Sequence, residues 1–423
     1  MAAALPTRGL VPLAGTSRLV RPVDFAPYYE LWINGSKLKD DVLRQIAGMT
    51  IEMSVDGADQ VTLDVQPVTG LRRVRNLLDG HVLAEGNSLE VWAGNGRGPL
   101  VSMGRYDLQV SPPRGDERGR RLEVIGYSAA AKLLRYEAPW RFGADVGDTE
   151  IVQRMATAAG LAHEVSPTLP RKRGRVKEAG RSDFEFLDEI AATARNERGT
   201  DFRWYVRWDP TKRGGRGADV LTFDPYRLDS SAEKYVFRYE PEDDLASTLR
   251  RWSIEPAMGD TPTRVSVVYL DRLAGEEREV VAEVADPNAD PTVLWTGAVA
   301  GLEGIDQEVK DGAAVRLQAI GEGTEASPLE FLAFEDEGEA LDFARRWFRQ
   351  RQYAFAHADF AVIGMERLRP WDVHAYRGMD ARWDGDYMTT SVRHRWGTGS
   401  VYFCELAANR VPAESSFPVG GAS

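Results

Sequence analysis

From Tyr28 to Gly126 a series of short stretches carries apolar side chains at every second position, the period of a half-buried strand. Tyr29, Leu31 and Ile33 share one face ahead of Asn34-Gly35, a dipeptide suited to a two-residue hairpin turn. Ile51, Met53 and Val55 alternate, Asp56-Gly57-Ala58-Asp59 turns the chain, and Val61, Leu63 and Val65 alternate again. Further strands are predicted at Leu89 to Ala93, Gly104 to Val110 and Leu122 to Gly126, the last running into a helical stretch that reaches Leu134. Residues 24–138 therefore read as one β-rich barrel domain.

The period then changes to that of a helix. Asp148 is placed to cap a helix with Ile151, Val152, Met155 and Ala159 on one face, and Gly160 to end it with Leu161 packed back on Met155. Ser182-Asp-Phe-Glu185 has the spacing of a capping box before a second helix that buries Phe184, Leu187, Ile190, Ala191 and Ala194 and stops at Gly199. Phe202, Trp204, Val206 and Trp208 alternate as a strand, Pro210 to Gly217 turns, and Val220 to Phe223 returns. Two helices and a hairpin make residues 139–233 a small α+β insert.

Strand patterning resumes at Tyr235 to Tyr239, Leu249 to Ile254, Arg264 to Tyr269 and Arg278 to Val284. The stretch from Asp286 to Phe334, rich in Gly, Ala, Glu and Asp, reads as an extended excursion whose tip touches a partner. A helix is predicted near 337–352, with Ala340, Ala344, Trp347 and Phe348 on one stripe. Short strands and turns follow: Gly364 to His374, Arg377-Gly-Met, Asp384 to His394 with Gly385 in a turn, and Ser400 to Arg410. Residues 234–411 thus read as a second barrel domain. Residues 1–23, with Pro6, Gly9, Pro12, Gly15 and Pro22, form an N-terminal arm, and 412–423 a C-terminal tail. The fold class is β-rich α+β.

The closing order of helix, strands and Gly turns resembles the end of the second barrel in tail-hub proteins of contractile injection machines: phage late-control protein D, the T-even hub and the first half of VgrG. The turn before Val61 resembles a signature of the first hub barrel. Asp148-Thr149, Ile151-Val152, Gly160-Leu161, Ser182-Asp183 and Phe186-Leu187 are similar to the motif of the insert between the barrels. The resemblance spans roughly residues 24–410, with its strong part at 337–410. It implies two tube-type β-barrels with a small α+β insert, and a homotrimeric baseplate hub. Three chains with two like barrels each present six units to a six-fold tail tube and three to a spike. It further implies a tail tube ring, a separate spike protein, baseplate wedge or LysM-type adaptor proteins and a tape-measure protein as partners. The expected place is the virion's tail baseplate, assembled in the bacterial host cytoplasm.

Composition limits the alternatives. With 53 Lys+Arg against 65 Asp+Glu, the net charge of -12 argues against a nucleic-acid binder, which needs a basic footprint. Acidic walls would instead repel DNA passing through a channel as cargo. The chain has no run of about 18 uncharged apolar residues, so no membrane insertion is expected, and its first fifteen residues lack the apolar core of a secretion signal. The single cysteine, Cys404, excludes an intramolecular disulfide and reads as a small apolar filler in a strand.

Chemistry-bearing motifs are sparse. His81, His163, His357, His374 and His394 are scattered, without the His-x-x-x-His spacing of a zinc helix; His374 and His394 share the second barrel and are the one conceivable metal pair. No Gly-x-Ser-x-Gly elbow and no phosphate-binding loop occurs, Gly94 to Gly98 reads as a hairpin turn, and the basic run Arg171 to Arg175 as a solvated loop. A glycosidase acid pair could hide among the carboxylates, since it needs only spatial convergence. No catalytic, cofactor-binding or metal residue is assigned, no cofactor is expected, and an enzyme is not. The competing readings are a carbohydrate-binding or cell-wall-degrading β protein of the baseplate, and the distal tail hub of a non-contractile phage.

Overall fold

A strand with one apolar face is stable only when a second apolar layer covers it, and here two strand-rich segments share one core. The computed structural model describes residues 18–19, 27–66, 81–95, 99–110, 114–116, 119–136, 138–170, 174–194, 196, 202–226, 234–240, 247–256, 264–271, 276–283, 325–326, 332–334, 356–380, 383–397 and 402–411. The helix expected near 337–352 with Trp347, nearly all of the 286–334 excursion, the tail at 412–423 and Gly199 lie outside the described residues. So does the arm apart from Arg18–Leu19, a short strand.

The first segment forms β1 (Pro27–Ile33), β2 (Ile46–Ser54), β3 (Gln60–Val65), β4 (Ser88–Asn95), β5 (Val101–Val110) and β6 (Gly119–Tyr127). They lie in the order β2-β3-β6-β5-β4-β1, every pair antiparallel. The period-2 residues Leu31, Ile51, Val61, Leu63 and Val65 are fully buried, as are Leu89, Val91 and Val124. Asn34 and Gly35 take φ of 48° and 74°, the left-handed pair that a type I′ hairpin demands.

The middle segment builds its own core around α1 (Asp148–Ala158) and α2 (Asp183–Thr193), which cover a sheet of β7 (Ala162–Val165), β8 (Phe202–Asp209) and β9 (Ala218–Pro225). The capping box is present in both directions: Glu185 N–H donates to Ser182 Oγ at 3.1 Å, and Ser182 N–H to Glu185 Oε2 at 2.8 Å. Gly160 ends α1 with φ 72°. Two expectations are corrected. Gly147, not Asp148, occupies the N-cap of α1, and Asp148 lies in the first turn with its carboxylate gripped by Arg175 Nε at 2.6 Å and Nη2 at 2.9 Å. Arg175 is therefore a buried ion-pair partner rather than part of a solvated basic loop, because leaving either charge alone in the core would cost several kcal/mol.

The third segment forms β10 (Tyr235–Arg238), β11 (Leu249–Pro256), β12 (Arg264–Asp271), β13 (Glu276–Glu283), β14 (Ala356–Ile363), β15 (Val373–Arg377), β16 (Gly385–Gly397) and β17 (Phe403–Arg410). β12 and β13 are an antiparallel hairpin in a separate sheet with Glu325–Ala326 and Leu332–Phe334. The other six lie in the order β11-β14-β17-β16-β15-β10. Numbered in chain order within each set, both six-strand modules read 2-3-6-5-4-1. Five strands agree in pairing sense; the first lies beside the fourth in both, antiparallel in one module and parallel in the other. Thr248 N–H donates to Arg238 O at 2.9 Å, so the outermost strands of the second module meet at one end.

Three details depart from expectation. β14 fills a stretch that sequence periodicity left unassigned, and Arg18–Leu19 is paired with β10 although it falls in the expected arm. Trp252 packs half-buried against the core, edge-on to Tyr239. Gly385 is not a turn residue but the first residue of β16, opposite Tyr376; the left-handed position is Gly378, φ 83°, whose missing Cβ would lie 2.3 Å from Tyr239 O. Asp384 fixes that turn by accepting from the N–H groups of Gly378 and Met379, both at 2.9 Å. Gly378→Ala is accordingly expected to lower unfolding free energy by about 2 kcal/mol or more, from left-handed strain plus the backbone clash. Gly385→Ala, which meets only the flexible Arg410 side chain at 3.3 Å, should leave a urea denaturation midpoint nearly unchanged.

Candidate assembly interface

Edges of β-sheets carry unpaired N–H and C=O groups, so where two modules share a strand the edges are consumed. β16 does this. Its thirteen residues pair with β17 along one side, while its other side pairs with β15 only as far as Met388 and then with β2 from Ser391 to Gly397. The ladder slips between Thr389 and Ser391. At that bulge Thr390 O accepts Val55 N–H at 3.0 Å and Thr390 Oγ1 donates to Ala407 O at 3.1 Å. One extra residue bends a strand and raises its twist, which carries β16 from its own module to the other and makes the two a single sheet.

Beneath the seam lies one continuous apolar core from both modules. Trp396 stacks on Tyr402 at 4.3 Å between centroids and meets the edge of Tyr29, from the first module, at 6.4 Å. Above it, Arg393 reaches Glu52 across the seam at 2.9 Å, and Arg251, Arg393 and Arg395 surround Glu405 at 3.6 to 3.7 Å. These ion pairs are half-exposed and contribute little; the buried rings and backbone ladder hold the seam. The exposed face carries Arg251, Arg393 and Arg395 against Glu52, Glu255, Asp359 and Glu405, close to neutral. The charge of -12 therefore resides elsewhere.

The three segments meet at a cleft of about 70 Å³ lined by Asp59, Ser102, Tyr106, Arg207, Trp208 and Arg369, among others. Arg369, from the loop before β15, donates to Leu368 O at 2.8 Å and across to Ser102 O at 2.9 Å. Arg207 Nη2 donates to Pro370 O at 3.4 Å, and Arg105 lies 4.8 Å over the Trp208 ring. Trp371, next in that loop, holds φ 74°, a strained value for a side chain of its size. Burial pushes the Asp59 carboxyl up to about 6 against the opposing fields of Arg207 and Arg369, and burial raises Asp219 also. These two carboxylates share the cleft, whose volume is far below the roughly 300–1,000 Å³ of ligand pockets.

The singled-out histidines separate. His163 and His357 are exposed, the latter 2.7 Å from Asn409 Oδ1; His81 begins a 3₁₀ turn. His374 and His394 are both fully buried but in different surroundings. His374 Nδ1 accepts Tyr235 N–H at 3.3 Å among Tyr235 and Phe237, and burial drives its pKa down to about 3. His394 Nε2 faces Leu368 O at 3.2 Å, an atom that can only accept, so that nitrogen carries the proton and Nδ1 accepts from Tyr402 Oη at 2.8 Å. Burial holds it neutral, well below the usual imidazole range. Both nitrogens of His394 are engaged, His374 Nε2 is buried without a hydrogen-bond partner, and no group of three metal-capable side chains occurs among the described residues. Cys404 does more than fill space: its Sγ accepts Met365 N–H at 3.4 Å and lies 3.2 Å from His394 Nδ1, and burial pushes the thiol up to about 12, which leaves it unreactive. Sequence reasoning missed the seam, Arg369 and Arg207, because no local pattern marks a strand that changes partner.

Comparison of the whole architecture with known structures is informative where sequence comparison is not. No family model and no curated protein matches the chain. Its structure is similar to a tail protein from Neisseria meningitidis, TM-score 0.61 at 12% identity, covering 91% of this chain and 97% of that one. It is also similar to a 43 kDa tail protein of prophage MuSo2 from Shewanella oneidensis, TM-score 0.56 at 13% identity, covering 91% and 99%. This chain has the phage tail-protein fold. A chain of the Francisella PdpA-VgrG complex matches at TM-score 0.50 and 7% identity, over 92% of this chain and 59% of its own length. The two-module architecture extends over nearly the full length of the two tail proteins.

The seam's energetics can be divided by substitution. Trp396→Ala removes a ring that is 7% exposed and should cost about 3 to 5 kcal/mol. Arg393→Ala, which deletes the cross-seam ion pair, should cost less than about 1 kcal/mol. Denaturant unfolding of the two variants checks the ranking; a larger loss from Arg393→Ala would reverse the assignment of what holds the modules together.

Proposed function

We propose that this chain is a structural, non-enzymatic hub of a contractile phage tail baseplate or related injection particle, in which three copies form a ring. The carrying observation is the 2-3-6-5-4-1 strand order occurring twice in one polypeptide. Three such chains supply six like β modules to a six-fold tube ring on one side and only three identical inserts and loops to a spike on the other. The division into two tube-type barrel domains (24–138 and 234–411) around an α+β insert (139–233) belongs to this reading. The fold shared with phage tail proteins supports it. So does the seam, which already joins two modules side by side as neighbouring subunits of a tube would be joined. The tube ring, a separate spike protein, wedge or adaptor proteins and a tape-measure protein are the partners the arrangement calls for, with the virion tail as the location.

Light scattering on the full chain at micromolar concentration, alone and with a spike protein from the same genome, tests this. The expected mass is three times 47.0 kDa in at least the mixture, without release of peptidoglycan fragments. A monomer in both conditions, or lytic activity, would overturn it.

A further inference from the structure

Buried polar atoms find a hydrogen-bond partner almost without exception, and three that do not belong to residues around the cleft where the three segments meet. Ser102 Oγ from β5, Ser128 Oγ just after β6 and Trp208 Nε1 from β8 are buried without a partner among the described residues. The indole cannot turn to find one. A Cβ at Gly217 would lie 2.0 Å from its ring, and Arg105 covers the ring at 4.8 Å. An indole N–H only donates, and a serine hydroxyl turns about χ1 to donate where an acceptor is offered. What the three lack in common is an acceptor.

The same cleft is bordered by two guanidinium groups whose charge is not met by a bonded carboxylate. Arg207 donates from Nη2 alone, to Pro370 O at 3.4 Å, and lies 4.3 Å from the centre of the Tyr205 ring; its other N–H groups have no acceptor among the described residues. Arg369 spends Nη1 on Glu366 O and Leu368 O and Nη2 on Ser102 O, all backbone atoms. Asp59 acts on both guanidinium groups through space and takes its hydrogen bond from the backbone of Ser54. Burial first, and then the like charge of Arg207, lower the pKa of Arg369. With Arg105 included, three cations stand against Asp59 and Asp219 around the cleft. An anion between them relieves the repulsion and supplies the acceptor, in charge-assisted hydrogen bonds that are the strong ones.

We propose that this cleft binds one small free oxyanion, of the size and charge of inorganic phosphate or sulfate, held by Arg207 together with Ser102, Ser128 and Trp208. A volume of about 70 Å³ has room for about five water molecules, which suits a single such ion and little else. Its ligands come from the first module, the insert and the rim formed by the loop before β15. The ion therefore ties the insert to both modules at the point where Arg207 and Arg369 already cross between segments. This site stands on the cleft alone and is independent of the hub reading.

The test is calorimetric titration of the full chain with inorganic phosphate and, separately, with sulfate at fixed ionic strength, alongside its melting temperature. The protein is first dialysed free of both ions, and a phosphate assay on a denatured sample checks that none is carried over. The expected result is one site per chain and a saturable rise in melting temperature that chloride at the same ionic strength does not reproduce. Arg207→Gln should weaken binding at least about tenfold, and Ser128→Ala roughly two- to tenfold, the worth of one hydrogen bond. Ser128→Ala should also melt no lower than the parent in anion-free buffer, because it deletes a hydroxyl that has no partner there; it decides the matter if Arg207→Gln does not fold. Arg154→Gln, which removes an exposed ion pair with Glu150 on α1, should bind as the parent does. No saturable binding, an equal effect of chloride, or unchanged affinity in the cleft variants would overturn the site.

Discussion

The structure depends on a single strand that belongs to two modules. β16 is long enough to complete one six-strand set and then, past the bulge at Thr390, to supply the missing edge of the other. Had it ended at Met388, β2 would present an open ladder and Met49 and Ile51 would lose their cover. Because β16 continues, the core runs without interruption from Leu31 to Ala408. The chain behaves mechanically as one sheet with a helical insert clamped to it, not as two beads on a string.

The clamp is polar where the seam is apolar. Arg369 reaches backbone oxygen atoms of its own loop and of β5, Arg207 reaches that loop from the insert, and the Arg175–Asp148 pair locks α1 inside the insert. Such groups contribute little net stability compared with apolar packing, but each is satisfied in only one arrangement of the three segments. A polar network of this kind fixes the relation between the three segments more than it adds stability. The neutral buried rings of His374 and His394 fit the same purpose: each accepts a hydrogen bond within the core, from Tyr235 N–H and Tyr402 Oη respectively.

Local chemistry was legible in the sequence wherever its cause was local. Alternation at Val61, Leu63 and Val65, the Asn34-Gly35 turn, the Ser182–Glu185 box and the stop at Gly160 all follow from residues within a few positions of one another. What sequence left hidden came from distant partners. β14, Ala-His-Ala-Asp-Phe-Ala-Val-Ile, buries Ala356, Ala358, Phe360 and Val362 while His357 and Asp359 face water, and with alanine at its first two inward positions its alternation is faint in sequence. Arg175 reads as part of a basic run until Asp148 is brought beside it. Gly385 and Gly378 are equally plausible turn residues in one dimension; only the approach of Tyr239 decides between them. The duplicated strand order could be suspected from resemblance alone, since no repeat is visible in the residues themselves.

Amide hydrogen exchange on the full chain in dilute solution addresses the shared strand most directly. If β16 joins the modules within one molecule, amides of β2 and of residues 391–397 exchange as slowly as those of β3 and β17, in one cooperative step. Exchange of the β2 amides orders of magnitude faster than those of β3 would mean that its outer edge is open to water, and the account of two modules fused into one sheet would be wrong.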